Sequence, residues 1–231
     1  MKKLVIIPAR AGSKRLPNKN LKLLDGKPLI MHSVEIARKI FADNEICVST
    51  DSSEIKTIVE KSGLEVPFLR PENLAQDNSS TEDVLIHALN WYRQDGYNPD
   101  IIILLQPTSP FRRLKDINNA IKKFSNEIDM VVSVKETKAN PYFNLYEECS
   151  NGFLKKSKLK NTNHLQDCPK VWEFNGSIYV ISVSKLKEKG FSNFDKIIKY
   201  IIDNPVYSID IDTEYDWLIA NAIIDKKNEN S

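Results

Sequence analysis

The sequence contains few of the residues that mark disulfide-rich or metal-binding proteins. Among its 231 residues are three cysteines, three histidines and seven glycines. Cys47, Cys149 and Cys168 are odd in number, lie far apart and show no CxxC or Cys/His spacing. Neither a disulfide framework nor a zinc site is therefore indicated, and we expect a reducing, cytoplasmic environment.

Long hydrophobic runs are also absent. No stretch approaches the roughly 18 apolar residues of a membrane span, and the apolar segment Leu4–Ile7 is too short for a secretory signal. With 41% hydrophobic and 28% charged residues, the composition is that of a globular domain rather than a disordered, collagen-like or coiled-coil chain. We predict a soluble protein with no membrane contact and one domain over residues 1–231.

Charge of one sign does not dominate the chain, but it is unevenly distributed. The net charge is only +2, whereas residues 1–40 carry ten Lys or Arg against two acids. This segregation argues against a nucleic-acid partner and favours a local anion-binding site near the N-terminus.

Runs of strand length alternate with segments of helical periodicity. The predicted strands are Leu4–Ile7, Glu45–Ser49, Asp100–Leu105 and Met130–Val134, and a further apolar run spans Ser177–Val183. The predicted helices are Pro28–Ile40, Ser53–Gly63, Ser80–Gly96, Asp116–Ser125 and Glu214–Ile224. Continuously hydrophobic strands indicate a mostly parallel sheet covered on both faces, a doubly wound, Rossmann-like α/β fold.

Between residues 135 and 170 this pattern gives way to a polar stretch rich in Asn, Lys, Tyr and Glu. We interpret it as an excursion from the sheet, a small dimerisation or substrate subdomain at about 135–175. The last residues, 226–231, are expected to fray.

The segment Pro8–Asn20 after the first strand combines small residues with four cations. In open α/β sheets, ligands bind beyond the carboxyl ends of the strands. Small residues let backbone N–H groups approach a phosphate, and Lys14 and Lys19 can neutralise charge on a leaving pyrophosphate. The segment matches neither the Walker pattern nor GxGxxG, and a solvated basic loop is the alternative.

A second segment also contains candidate functional residues. After the strand ending at Leu105, the side chains of Gln106, Thr108 and Ser109 can orient a hydroxyl, and Arg112 offers a fork for a carboxylate or phosphate. The alternative is a proline-bounded turn with a satisfied Ser/Thr cap.

Asp210 and Asp212 lie two residues apart on an extended run, so their carboxylates project from one face. Two such carboxylates repel each other unless a cation lies between them, and Mg²⁺ is a good candidate. Alternatively, Asp212 caps the helix that follows.

Six ordered motifs resemble those of one family. The string IIPARAGSKRLPNKNLKLLDGKPLI closely resembles the opening of the acylneuraminate cytidylyltransferases, the CMP-sialic acid synthetases. Further matches are VSTDSSEI at 48–55, VPFLRPENLAQDNSST at 66–81, LLQPTSPFR at 104–112, FNGSIYV at 174–180 and SIDIDTEYD at 208–216. The resemblance implies transfer of CMP from CTP to the anomeric hydroxyl of a nonulosonic acid, with release of pyrophosphate, by a homodimer that uses magnesium.

The resemblance also implies roles for individual residues. Arg10, Lys14 and Lys19 would meet the triphosphate, while Asn20 and the backbone near Ala9 and Ala11 would hold cytosine and ribose. Gln106 and Ser109 would lie near the attacking oxygen, and the magnesium ligands would be Asp210 and Asp212. The sugar acid would contact Asn175, Tyr179 and Phe191, although Tyr179 could instead be ordinary core.

Some positions depart from the family's pattern or stay open. Leu165 stands where the family often has an Arg in the string RQDLP, and Arg15 stands where a Gly is common. Asp51 either serves the site or caps the helix from Ser53. No side chain is identified as a general base. The alternatives are an enzyme acting on 3-deoxy-octulosonate or with another nucleotide, and a non-catalytic nucleotide sensor.

Overall fold

A computed structural model describes residues 1–76, 79–160 and 164–229. Its strands are β1 Lys3–Pro8, β2 Leu23–Leu24, β3 Lys27–Pro28, β4 Ile46–Ser49, β5 Ile101–Leu105, β6 Met130–Glu136, β7 Tyr146–Glu148, β8 Leu154–Lys156, β9 Trp172–Ser182 and β10 Ile197–Ile201. Its α-helices are α1 Leu29–Arg38, α2 Ser53–Lys61, α3 Thr81–Gln94, α4 Leu114–Lys122, α5 Val183–Lys189 and α6 Glu214–Asn228.

The central sheet has six strands in the order β10-β6-β9-β5-β1-β4. β1 runs parallel to β4 and β5, and β6 runs parallel to β10, whereas β9 is antiparallel to both of its neighbours. The predicted mostly parallel α/β sheet is thus confirmed. The carboxyl ends of β1, β4 and β5 lie at one edge, where their following loops can meet.

Both faces of the sheet are covered, as continuously hydrophobic strands require. Residues of α1, α2 and α4 pack on one face with Val5, Ile7 and Ile103, and residues of α3 and α5 pack on the other with Leu4 and Ile6. Side chains along β1 alternate between these two cores, so residues 4–7 are all fully buried.

A third, smaller core holds the two ends of the chain together. Leu16 and Leu24 from the segment after β1 pack against Ile211, before α6, and against Trp217 within it. The C-terminal helix therefore anchors the long basic loop of the N-terminal segment, although some 200 residues separate them in sequence.

The excursion leaves the sheet after β6 and returns at β9. Within it β7 and β8 form a two-stranded sheet of their own, and 161–163 fall outside the described residues. Several large apolar side chains of this segment are exposed, among them Phe153, Leu154 and Leu159.

The reversed direction of β9 was not predicted from the sequence, and neither were β10 and α5. The predicted return run was Ser177–Val183, whereas β9 begins at Trp172. Residues 230 and 231 of the predicted frayed tail lie outside the described residues. Across the parts of the chain that are described, no helix is both long and apolar enough to cross a membrane.

Candidate active site

A cavity of about 550 Å³ opens at the carboxyl edge of the sheet, where β1 and β5 end. The segment after β1 lines it with Arg10, Gly12, Lys14, Arg15, Lys19 and Asn20. Arg70, Gln106, Thr108 and Asp212 also line it. Sequence reasoning had selected most of these residues, and the fold brings them to one place.

Lys19 joins the basic loop to the acidic segment before α6. Its ammonium donates to the carbonyl of Ile211 at 2.8 Å and to Asp212 Oδ1 at 2.7 Å, and its side chain is only 10% exposed. The pair is well desolvated on the lysine side and open to solvent at Asp212, whose side chain is 50% exposed. Lys19 therefore has a fixed position at the floor of the cavity.

The backbone of the loop is held by β4 and the residues after it. The N–H of Ala9 donates to the carbonyl of Ser49 at 2.9 Å, and the N–H of Ala11 donates to Asp51 Oδ1 at 2.9 Å. These two N–H groups are occupied within the protein, so a contact of this backbone with a nucleotide, which stays a prediction, would have to use other backbone groups. Asn20 donates to the Arg10 carbonyl, while its own Oδ1 is buried without a partner.

Burial disfavours the charged form of the Asp210 carboxylate. Its Oδ1 is buried and has no hydrogen-bonding partner. Burial raises its pKa, the neighbouring Thr108 hydroxyl opposes the shift, and Asp212 adds to it. A Cβ on Gly176 would lie 3.0 Å from Asp210 Oδ2 and 3.3 Å from Gln106 Oε1, so this glycine, with φ of 71°, lets the two side chains converge.

The chemistry of Asp210 and Asp212 fits a hard divalent cation. The orphaned Oδ1 of Asp210 and the half-exposed carboxylate of Asp212 offer two oxygen ligands whose charges interact, although Asp212 lines the cavity and Asp210 is not among its lining residues. Within the described ranges no three His, Cys, Asp or Glu residues cluster as a metal site. Mg²⁺ commonly takes one or two protein carboxylates and fills its other positions with water and phosphate oxygens.

The alternative role for Asp212, capping α6, is wrong. Thr213 is the N-cap residue, and its hydroxyl accepts the N–H of Asp216. The carboxylate of Asp216 in turn accepts the N–H groups of Asp212 and Thr213. Asp212 is thereby left available to the cavity.

The guanidinium of Arg112 does not face the cavity. It is 6% exposed, and its guanidinium donates to the Ser177 carbonyl and hydroxyl, to the Ser33 hydroxyl and to the Gln106 carbonyl. Burial lowers its pKa, and Asp210 opposes the shift. We correct its predicted role: Arg112 fixes the backbone of Gln106 rather than contacting a substrate.

The other predicted substrate residues lie behind the cavity wall. Ser109 is buried, with its hydroxyl lacking a partner. Asn175 is 2% exposed, accepts from the Ser133 hydroxyl and donates to Ser208, so its side chain connects β6, β9 and the turn before Asp210. These contacts leave no side of Asn175 facing the cavity.

Tyr179 and Phe191 form an aromatic group in the second core. Their ring centroids are 6.5 Å apart, and Phe174 and Phe194 extend the group. Burial raises the pKa of Tyr179 to about 12, with a further contribution from the Asp210 charge. Tyr179 is buried in this core, as one sequence interpretation allowed.

Sequence reasoning missed Arg70. It is 5% exposed, lines the cavity, and its Nε is buried without a hydrogen-bonding partner. The string VPFLRPENLAQDNSST, one of the six motifs that carry the family resemblance, contained the signal, yet no residue was selected from it. Ser79, Ser80 and Thr81 of the same string line the cavity, while positions 77 and 78 fall outside the described residues.

Three positions whose role the sequence left open, Asp51, Arg15 and Leu165, have different surroundings in the structure. Asp51 does not cap α2, because the Ser52 hydroxyl accepts the N–H of Ile55. Arg15 is exposed at the cavity rim. Leu165 is 43% exposed and lines a different cavity at the base of the excursion, beside Cys168.

Comparisons with known proteins point to one family. The model of the cytidylyltransferase family matches residues 4–165. The chain is 34% identical to the CMP-N,N'-diacetyllegionaminic acid synthase of Legionella pneumophila over 99% of both chains. It is 35% identical to the N-acylneuraminate cytidylyltransferase of Escherichia coli over 97% of this chain and 52% of that relative.

A solved structure shares the fold. The CMP:2-keto-3-deoxy-manno-octonic acid synthetase complexed with CTP superposes with a TM-score of 0.72, covering 98% of this chain and 100% of that one. At 20% identity this likeness concerns the fold alone.

Proposed function

The chain belongs to the cytidylyltransferase family, and from this premise we propose that it transfers the cytidylyl group of CTP to the anomeric hydroxyl of a nonulosonic acid. The observation that carries the proposal is the convergence of Arg10, Lys14 and Lys19 with Gln106 and Asp212 around one cavity. Cations from one end of the chain and a carboxylate from the other suit a triphosphate with its counter-ion.

CTP would lie along the basic loop with its phosphates toward Lys19. Arg10, Lys14 and Arg70 line the cavity, and the orphaned Nε of Arg70 and Oδ1 of Asn20 are a donor and an acceptor that a ligand can satisfy. Because buried polar groups are normally paired, these two atoms favour a polar nucleoside or phosphate occupant.

In the reaction, the oxygen of the anomeric hydroxyl forms a bond to the α-phosphorus while the bond from that phosphorus to the bridging oxygen of pyrophosphate breaks. The hydroxyl proton passes to solvent, and the departing pyrophosphate takes up the electron pair. Lys14, Lys19 and Arg10 stabilise the charge that moves onto it, so alignment and electrostatics account for most of the rate. Gln106, with its backbone held by Arg112, orients the hydroxyl.

Asp210 and Asp212 would hold magnesium, which when bound supplies positive charge beside the phosphates. The support is the unpartnered Oδ1 of Asp210, since a buried carboxylate oxygen without a hydrogen bond is stabilised by a cation, and burial raises the pKa of this carboxyl although the Thr108 hydroxyl opposes the shift. Lys19 provides part of that charge in the structure as it stands.

We also infer a homodimer in a reducing cytoplasm. The exposed apolar residues of the excursion supply a surface for a second copy, and all three cysteines are unpaired. Cys47 is fully buried, and burial strongly raises its pKa, so it behaves as a small apolar residue.

A pyrophosphate-release assay tests the function. The four nucleoside triphosphates are each paired with N-acetylneuraminate, N,N'-diacetyllegionaminate, pseudaminate and 3-deoxy-manno-octulosonate. Turnover with CTP and at least one nonulosonic acid is expected. Turnover restricted to the octulosonate or to another nucleotide would favour the rival enzyme, and CTP binding without turnover on any acid would indicate a nucleotide sensor.

A further inference from the structure

Asp51 lies behind the cavity and contacts two of its walls. Its Oδ1 accepts the N–H of Ala11 at 2.9 Å, in the middle of the basic loop. The same oxygen lies 3.6 Å from Nη2 of Arg70, which lines the cavity from the other side. Ser52 is the cap of α2, so capping does not account for Asp51.

The carboxylate of Asp51 favours the charged form of the Arg70 guanidinium. Burial lowers its pKa, Asp51 opposes that shift, and the nearby Arg10 reinforces it. The backbone of Arg70 is fixed by its N–H, which donates to the Thr50 carbonyl at 2.7 Å, directly before Asp51. Arg10 and Arg70 both line the cavity, and the negative charge of Asp51 offsets the repulsion between their positive charges.

We propose that Asp51 is a positioning residue for the nucleotide, orienting the basic loop through Ala11 and the guanidinium through Arg70. The proposal rests on the proposed function, since it takes CTP as the occupant of the cavity. Asp51 does not line the cavity itself, so its effect on the ligand passes through these two groups.

Two effects of removing Asp51 oppose each other. Loss of a negative charge near the phosphates would by itself strengthen CTP binding. Loss of the Ala11 and Arg70 contacts would leave the loop and the guanidinium to adopt other positions, which weakens it. We expect the second effect to dominate, because the carboxylate contacts both groups directly and the phosphates only across them.

The test compares Asp51→Ala and Asp51→Asn with the unmodified chain. Asp51→Ala should weaken the calorimetric Kd for CTP about tenfold or more, the usual loss for a charge-assisted contact, and Asp51→Asn should weaken it less. In ligand-free protein, amide hydrogen exchange at Ala11 should speed up in Asp51→Ala and stay near its original rate in Asp51→Asn, whose side-chain oxygen still accepts.

The matched control is Asp43→Asn. Asp43 also pairs with an arginine, Arg38, but it precedes β4, whereas Asp51 follows that strand. It should leave both CTP binding and Ala11 exchange unchanged. Asp51→Asn keeps the acceptor and the side-chain volume, so the comparison remains usable if Asp51→Ala does not fold.

CTP binding by Asp51→Asn and Asp51→Ala that is as tight as, or tighter than, that of the unmodified chain would overturn the proposal, as would unchanged Ala11 exchange in Asp51→Ala. If the unmodified chain bound no CTP, the proposed function would fail and the nucleotide role with it. The exchange measurement needs no ligand, so it separates that failure from an error about Asp51.

Discussion

Lys19 is the residue at which the two charge-segregated parts of the chain meet. Its ammonium contacts Ile211 and Asp212, nearly 200 residues away, and is almost enclosed. A buried cation with a fixed position stabilises developing charge better than a mobile one, because no reorganisation accompanies the reaction.

Lys19→Ala should lower kcat/KM about 100- to 1000-fold, the range seen when one preorganised donor is removed. Lys22→Ala is the control, since Lys22 is a nearby lysine that pairs with Glu214 outside the cavity. Steady-state pyrophosphate release measures both. An unchanged specificity constant in Lys19→Ala would remove it from the site.

Asp212→Asn tests the metal assignment more cleanly than Asp212→Ala. The amide oxygen can still accept from Lys19, so the substitution chiefly removes negative charge. The magnesium concentration for half-maximal pyrophosphate release should rise about tenfold or more, with the fold intact by circular dichroism. Near-normal turnover at the original magnesium concentration would refute the assignment.

At the scale of elements, α6 fixes the segment that carries Asp212. Asp216 accepts the N–H groups of Asp212 and Thr213 and the Thr213 hydroxyl. Its pKa is lowered: burial opposes the charged form, but these hydrogen bonds outweigh burial. The helix cap and the candidate metal ligand are therefore parts of one hydrogen-bonded turn.

Asp216→Ala should lower the free energy of unfolding by about 1 kcal/mol at neutral pH, the usual cost of losing a cap. Because the folded-state pKa lies below the unfolded value, this contribution is complete above about pH 4 and declines as the pH falls further. Urea denaturation at several pH values measures it.

The control for this cap is Asp225→Ala, which removes an exposed carboxylate from the same helix and should change stability little. A loss in Asp216→Ala that did not shrink in acid would contradict the role of the charged carboxylate.

At the scale of the whole molecule, the excursion projects apolar residues that the sheet cannot cover. Phe153 is 72% exposed and Leu154 is 68% exposed at the β7–β8 hairpin. Exposed apolar patches of this kind mark association surfaces. In the proposed homodimer, a second copy covers them.

The double variant Phe153→Ser, Leu154→Ser should therefore shift the protein from dimer to monomer in analytical ultracentrifugation. The matched control is Tyr215→Ser, Leu218→Ser, which alters an equally exposed apolar pair on α6. A dimer that persists in the first variant, or dissociates only in the second, would contradict this surface.

Much of the fold follows from the sequence alone. The strand residues Leu4–Ile7 and Ile101–Leu105 are all buried, and strands that are buried on both faces are typical of a covered, mostly parallel sheet. β10 was missed since its edge position leaves most of its residues exposed, and the direction of β9 depends on how the chain returns from the excursion.

The sequence by itself determined five of the six strands of the central sheet, the basic loop after β1 and the acidic pair near the C-terminus, because each is a local pattern. Only the tertiary structure decided which polar groups face the cavity. Arg112 and Asn175 turn inward to protein acceptors, Arg70 lines the cavity, and Lys19 meets Asp212. The physical reason is that hydrogen bonds and charge pairing are satisfied between distant segments, which local pattern does not encode.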